Sequence, residues 1–293
     1  MLEVNTIEMD PPARDPEYEK KLALGKELNE ALELYRLTEE LDRLAAVIKA
    51  QSVGDKLTPS QYAQLKAHQE DTMAVEQRRK YFRETDHRSS FHGIAYYAIK
   101  SLLGRDSSIR SILNIGCNYG YMDYLLAKEH GLVSVLGVDV NDDTPSKNAD
   151  LVLPNLNFRA GYALDLLEAG DIRADLVYMS STATVIRNEE IRRYLRVLSG
   201  SAKYVLFSEP VWLRPGNVLQ KGLDISVTES VPAYVQRNPL TGSYGYLCWN
   251  HNYAGLLESE GFEVIDYRFY RPEFTYLYWC LALGQNTNAR LWE

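Results

Sequence analysis

The sequence predicts an α/β protein: a seven-stranded, mostly parallel sheet with an antiparallel last strand, helices on both faces, and an N-terminal helical hairpin in front of it. Three observations predict this. After residue 90, apolar runs of strand length alternate with amphipathic runs of helix length, the pattern of a parallel sheet buried on both faces. The last two apolar runs, "FEVIDYRFYR" (262–271) and "TYLYWCLALG" (275–284), are separated only by "PEF". That gap is too short for a crossover, so these two strands pair antiparallel. Before residue 90 the rhythm is helical instead: Leu24, Leu28, Leu32, Tyr35, Leu37, Leu41, Leu44 and Ile48 recur mostly at steps of three or four with charges between.

Taken in order, residues 1–14 hold Pro11 and Pro12 without periodicity and read as a loose leader. Residues 15–88 read as a helical cap or dimerisation region. One helix runs from Asp15 to Gln51, "SVGDKLTPS" breaks it, and Thr58-Pro59 starts a second that reaches about Phe82. The main domain spans 89–285 and opens with the helix "FHGIAYYAIKSLLG" (91–104). Strands follow at "SILNIG" (111–116), "VSVLGVDV" (133–140), "LNFRAG" (156–161), "ADLVYMSS" (174–181) and "AKYVLFSE" (202–209). The clearest helices are "MDYLLAKEHG" (122–131), "NEEIRRYLRVLSG" (188–200) and "HNYAGLLESEG" (251–261). An insert without clear periodicity occupies 210–250, within which "SVTESVPAYVQ" suggests an extra strand pair, and 286–293 form a tail.

Composition narrows the class. Of the 293 residues, 45% are hydrophobic and 25% charged, ordinary for a globular chain. The longest apolar run, "YLYWCLAL", is far too short to span a bilayer, and the polar, acidic start is unlike a signal peptide. Three scattered cysteines, Cys117, Cys248 and Cys280, make no disulfide framework, so a reduced, cytoplasmic protein is expected. A net charge of −8 argues against a nucleic-acid or anionic-membrane binder. The stretch "DVNDDTPSKNAD" (139–150) spaces acids and amides like a calcium loop but has Thr144 where the sharp turn needs glycine, so no metal is expected.

The strand "SILNI" runs into Gly116-Cys117-Asn118-Tyr119-Gly120 and then into a helix. A strand, a glycine turn and a helix form a nucleotide site in open parallel sheets, because glycine lets the backbone approach a ligand that faces the helix N-terminus. The middle glycine of a dinucleotide fingerprint is missing here, which counts against NAD or FAD. "LNIGCNYGY" instead resembles the first motif of the class I S-adenosylmethionine-dependent methyltransferases, with Gly116 and Gly120 on its two glycines and Asn114 where an acid is commoner. The reversed last strand is also the family's layout, and the resemblance covers roughly residues 91–285.

The resemblance implies S-adenosylmethionine as cofactor, held by Gly116, Cys117, Asn118, Tyr119 and Gly120. It implies that Asp139, closing "VLGVD" 23 residues after Gly116, accepts from the ribose hydroxyls, with Val140 beside it. Tyr162 and Ala163 stand where the family often has Asp-Ala near the adenine amine; Asp165 either replaces that acid or caps a helix. Ser180 and Ser181, after the strand 174–181, border the transferred methyl or merely cap the next segment. Arg88 is placed to meet the methionine carboxylate. Glu209 ends a strand beside the reaction centre as a base or orienting group. His251 is the best-placed histidine for a general base, or with Asn252 caps its helix. Trp212, Tyr246 and Trp249 in the insert, with Asn252, suit a polar or aromatic acceptor. The sequence "SSTA" after the strand lacks the amine-holding motif of nucleobase and glutamine methyltransferases.

The expected function is methyl transfer to a small polar acceptor, most readily an oxygen of a sugar or secondary metabolite. An RNA or protein methyltransferase, and a noncatalytic scaffold on the same fold, are the alternatives. The two leucine-rich stripes before residue 88 need burial and suggest a homodimer. A chain starting near Ser89 is therefore expected to lose the full-length oligomeric state in light scattering.

Overall fold

The computed structural model describes residues 5–8, 92–212, 231–237, 244–271 and 277–287. The helical hairpin expected over 15–88, Arg88 within it, and the last residues of the tail lie outside the described residues.

The strands, in chain order, are β1 (Asn5–Glu8), β2 (Ser111–Ile115), β3 (Ser134–Asp139), β4 (Leu156–Ala160), β5 (Leu176–Ser180), β6 (Tyr204–Trp212), β7 (Val231–Arg237), β8 (Tyr244–Asn250), β9 (Phe262–Arg271) and β10 (Leu277–Asn286). The helices are α1 (His92–Arg105), α2 (Tyr121–Glu129), α3 (Thr144–Lys147), α4 (Ala163–Glu168), α5 (Asn188–Ser199) and α6 (Tyr253–Ser259), with a 3₁₀ turn at Ala183–Val185. The main sheet runs β1-β9-β10-β6-β5-β2-β3-β4. Strands β2 to β6 pair parallel. The expected reversal is at β10, which lies antiparallel between β6 and β9.

The alternation along each central strand shows why both faces are covered. Ile112, Leu176, Tyr178, Tyr204 and Leu206 share one core with Ile94, Ile99 and Leu102 of α1 and Leu126 of α2. Their chain neighbours Leu113, Val177, Met179, Val205 and Phe207 share the other core with α4, α5 and α6. With side chains pointing to opposite faces in turn, a strand buried on both must be apolar throughout. Helix α5 buries Ile191, Tyr194, Leu195 and Leu198, a stripe at helical spacing, together with one acid, Glu190.

Three boundaries differ from the sequence reading. The leader 1–14 contributes β1, which pairs parallel with Arg268–Arg271. Four residues are too few to show periodicity, yet the edge of β9 offers unpaired backbone groups that a passing chain satisfies. Strand β6 does not stop at Glu209; it continues through Pro210 to Trp212 against β10. Its pairing with β5 ends at Ser208, so Pro210 sits where β6 has become an edge, and proline is tolerated there. Asn286, assigned to the tail, belongs to β10, and its buried amide donates to the Ser199 and Ala202 carbonyls at 2.8 and 2.9 Å. Within the insert, β7 and β8 form the extra antiparallel pair. Among the described residues no helix is long and apolar enough to cross a membrane.

The amino end of the sheet is fastened by Asp175. Its Oδ2 accepts from the Arg110 and Ser111 backbone N–H groups and from Ser111 Oγ at 2.8, 2.9 and 2.9 Å. This fixes where β2 and β5 begin relative to each other. Asp175→Ala strands those donors and is expected to lower unfolding stability by about 2 kcal/mol in urea titration, with the fold kept.

Candidate active site

The carboxyl ends of β2, β3, β4, β5 and β6 meet at one edge, where open α/β sheets place their ligands. The turn after β2 is built from backbone. The Gly116 and Cys117 N–H groups both donate to the Val138 carbonyl, at 2.8 and 3.1 Å, and Gly120 N donates to the Cys117 carbonyl at 2.9 Å. Gly116 has φ +83° and Gly120 φ +59°, both left-handed. A Cβ at Gly116 would lie 2.2 Å from Thr182 Oγ1, and one at Gly120 2.3 Å from the Phe158 ring. The two glycines therefore answer two needs: a turn handed wrongly for other residues, and close approach of the β5 and β4 ends. Cys117 and Tyr119 are buried beneath the turn. Asn118 is also left-handed, at φ +48°.

Asp139, buried at the end of β3, ties this turn to its own loop. Oδ2 accepts from Asn118 N at 2.9 Å, and Oδ1 accepts from Asn141 N and Nδ2 at 3.1 and 2.7 Å. Three acceptor positions of about four on a carboxylate are thus used within the chain. The ribose role assigned to Asp139 is narrowed accordingly: one acceptor position remains rather than a free pair. Val140 beside it is half exposed. Asn148, buried, donates to the Asn118 carbonyl at 2.9 Å.

Tyr162 stands at the head of α4, half-buried, its ring edge-on to Tyr194 and its hydroxyl donating to the carboxylate of buried Glu190. Ala163 is buried below it, and Asp165 is exposed in the first turn of α4. At the end of β5, Ser180 Oγ is buried with no hydrogen-bond partner among the described residues, and exposed Ser181 takes φ +56°.

Both nominated bases are committed to backbone. Glu209 is fully buried, and its Oε1 accepts from Thr182 N and Ala183 N at 3.1 and 3.0 Å, its Oε2 from Thr184 N at 3.3 Å. Burial pushes its pKa up to about 7, against the lowering effect of those three donors. His251 is also buried, with Nε2 2.9 Å from the Ile186 carbonyl. Burial pushes its pKa down to about 4, opposed by bonds to Ile186 and Ala183. Both side chains act as struts that hold the segment 182–186; a catalytic role for either is a proposal from sequence position alone. The sequence position is the same for a base and for a strut, and burial separates them.

Asn252 takes the helix-capping role, one of the two expected of it: its Oδ1 accepts from Gly255 N at 2.9 Å at the head of α6. Trp249 is half-buried, its ring nearly parallel to that of His251 with centroids 6.4 Å apart, and its carbonyl accepts from Thr184 Oγ1 at 3.2 Å. Trp212 ends β6 and Tyr246 lies in β8; their backbones, not their side chains, are described. Among the described residues no group of three or more His, Cys, Asp or Glu side chains is placed to hold a metal.

No protein-family model matches the chain. No curated protein matches it. Solved structures do. A 1,6-didemethyltoxoflavin-N1-methyltransferase from Burkholderia thailandensis, with its acceptor and S-adenosylhomocysteine bound, is similar at TM-score 0.55 and 16% identity over 81% of this chain and 94% of that one. The magnesium protoporphyrin IX methyltransferase of Synechocystis PCC 6803, with S-adenosylmethionine bound, is similar at TM-score 0.50 and 12% identity over 81% and 99%. The chain has the class I methyltransferase fold. In this fold the reversed β10 and the glycine turn after β2 are at their expected places.

Sequence reasoning missed Asp123, Asn141, Asn148 and Glu190. Asp123 could have been found: with Leu126 and Ala127 it shares the buried face of α2, so it is an acid at a core position.

The two struts have opposite pH signatures. Between its ordinary 4.5 and about 7, folded Glu209 keeps a proton that the unfolded chain has lost, so stability falls as pH rises. Between about 4 and its ordinary 6.5, His251 does the reverse, and stability rises with pH. Above pH 6.5 only the carboxylate effect remains. From pH 6.5 to 8, wild type is expected to lose about 1 kcal/mol more unfolding stability than Glu209→Gln, read from parallel urea titrations.

Proposed function

We propose that this chain is an S-adenosylmethionine-dependent methyltransferase acting on a small polar acceptor. The observation that carries this reading is the joining of the Gly116–Gly120 turn to Asp139 at the carboxyl edge of the sheet, through the Asn118 N–H. The residues present fit the cofactor. Asp139 retains an acceptor position for a ribose hydroxyl, Val140 offers an apolar surface beside it, and buried Ser180 Oγ lacks a partner among the described residues. Cys117, Tyr119 and Ala163, at the same edge, are buried. Tyr162, with its hydroxyl turned to Glu190, offers a ring edge rather than a carboxylate to an adenine. Arg88 remains a proposed partner of the methionine carboxylate on its sequence position alone.

A bound S-adenosylmethionine supplies a methyl already activated on a sulfonium, for in-line transfer to an acceptor held about 3 Å away. The chain's own task is to hold the acceptor and dispose of its proton. With Glu209 and His251 bonded to backbone, an acceptor that gives its proton to water is favoured: a phenolic or enolic oxygen of a secondary metabolite before a sugar alcohol. Ser181, Trp212, Tyr246 and Trp249 are the proposed acceptor contacts. The solved structures of similar fold, named for magnesium protoporphyrin IX and 1,6-didemethyltoxoflavin, support a small-molecule acceptor. A cytoplasmic homodimer through the N-terminal helices completes the proposal, on the cysteine count and the leucine stripes.

Calorimetric titration with S-adenosylmethionine tests it. Saturable binding is expected, weakened by about 1 to 3 kcal/mol in Asp139→Ala, which strands the donors of Asn118 and Asn141 as well as any ribose contact. A folded wild-type chain that does not bind would overturn the reading.

A further inference from the structure

Beneath the glycine turn lies a buried carboxylate that the proposed reaction does not use. Asp123, the third residue of α2, has no exposed surface. Its Oδ2 accepts from Asn114 Nδ2 at 2.9 Å, and its Oδ1 accepts from the Tyr178 hydroxyl at 2.8 Å. Asn114 is two residues before Gly116, on the strand that enters the turn. Tyr178 is two residues before Ser180, on the neighbouring strand β5. One side chain on the helix that leaves the turn thus fastens both strands that face it.

Filling a core does not require this arrangement. A buried carboxylate loses its hydration, and well-packed apolar groups of the same size serve stability at least as well. Burial is the largest influence on Asp123 and raises its pKa to about 7, against the bonds from Asn114 and Tyr178. The neighbouring titratable groups are the Tyr178 hydroxyl and the Cys117 thiol, both raised by burial and by the Asp123 charge; Asp139 acts on the same thiol, and Lys147 opposes it.

The geometry suits one protonation state. Two side-chain donors point at the carboxylate, as its ionised form requires. A proton on either oxygen meets a donor. Facing Asn114, it forces the amide to turn so that Oδ1, which otherwise has no hydrogen-bond partner, can accept. Facing Tyr178, it turns the hydroxyl away. Either change loosens a contact between α2 and the sheet directly under the turn.

We propose that Asp123 is a positioning residue for the glycine turn: its ionised carboxylate, held by Asn114 and Tyr178, sets α2 against β2 and β5 in the arrangement that binds the cofactor. This rests on the methyltransferase reading. It also gives a role to Asn114 at a position where the resemblance leads one to expect an acid: here the strand carries the amide and the helix the acid it bonds.

The test is S-adenosylhomocysteine binding by calorimetry between pH 6 and 8.5, on wild type, Asp123→Asn, Glu209→Gln and the exchange variant Asn114→Asp/Asp123→Asn. Wild-type Kd is expected to weaken about five- to tenfold from pH 8 to pH 6, the span that one linked proton with a pKa near 7 allows. Asp123→Asn is expected to bind about fivefold more weakly at pH 8 and to lose most of that slope. The exchange variant should recover both, and Glu209→Gln, which removes the other carboxylate ionising in this range, should keep the slope. A second readout needs no cofactor. At pH 8, Cys117 in Asp123→Asn should be alkylated about fivefold faster than in wild type, read by peptide mass, because the turn above it opens more often. If wild type binds and Asp123→Asn matches it in affinity and slope, or if the slope disappears in Glu209→Gln instead, the positioning role is wrong. If wild type does not bind, the cofactor reading fails, and Cys117 alkylation alone decides whether Asp123 holds the turn: equal rates overturn it.

Discussion

The candidate site depends on how unpaired backbone N–H groups are satisfied where parallel strands end. Each loop at that edge leaves the ladder with donors that no neighbouring strand can take, and a buried donor without a partner costs about as much as a lost hydrogen bond. This chain meets them with carboxylates. Asp139 takes the donors of Asn118 and Asn141, and Glu209 takes those of Thr182, Ala183 and Thr184. Asp175 does the same at the opposite edge for Arg110 and Ser111. A carboxylate is suited to this because two oxygens accept several donors at once. The cost is burial of a charge, visible in the raised pKa values of Glu209 and Asp123.

Much of the fold was legible because it rests on period and length. The alternation of Leu176, Val177, Tyr178 and Met179 between two cores is written as a continuous apolar run. The β9–β10 hairpin follows from a connection too short to cross the sheet, and the glycine turn follows from two residues of left-handed conformation. Strand β1 was not legible, since four residues paired at an edge need no pattern of their own. In the site, Asp139 and the turn could be placed by spacing, while the roles of Glu209, His251 and Asn252 could not. An acid at a strand end or a histidine before a helix reads alike whether it faces a ligand or a neighbouring loop. What decides is which backbone groups the fold brings within hydrogen-bond reach, and those of Glu209 and His251 come from residues about 25 to 65 positions away in the chain.

The two sides of the edge are built differently, and the difference bears on what can vary. The turn after β2, the end of β3 and the head of α2 are fixed to one another by backbone groups, Asp139 and Asp123 within about 35 residues of sequence. The segment after β5 is held from outside its own neighbourhood: Glu209 from β6 below, and from the far end of the insert His251 on Ile186 and the Trp249 carbonyl on Thr184. A rearranged insert therefore acts first on the 182–186 segment, and reaches the glycine turn only through the packing of Thr182 on Gly116. On the proposed function, that segment and the insert face the acceptor, and the turn faces the cofactor. One scaffold can then keep its cofactor while its acceptor changes, because two of the contacts that shape the acceptor side, from Trp249 and His251, come from the far end of the insert rather than from the turn.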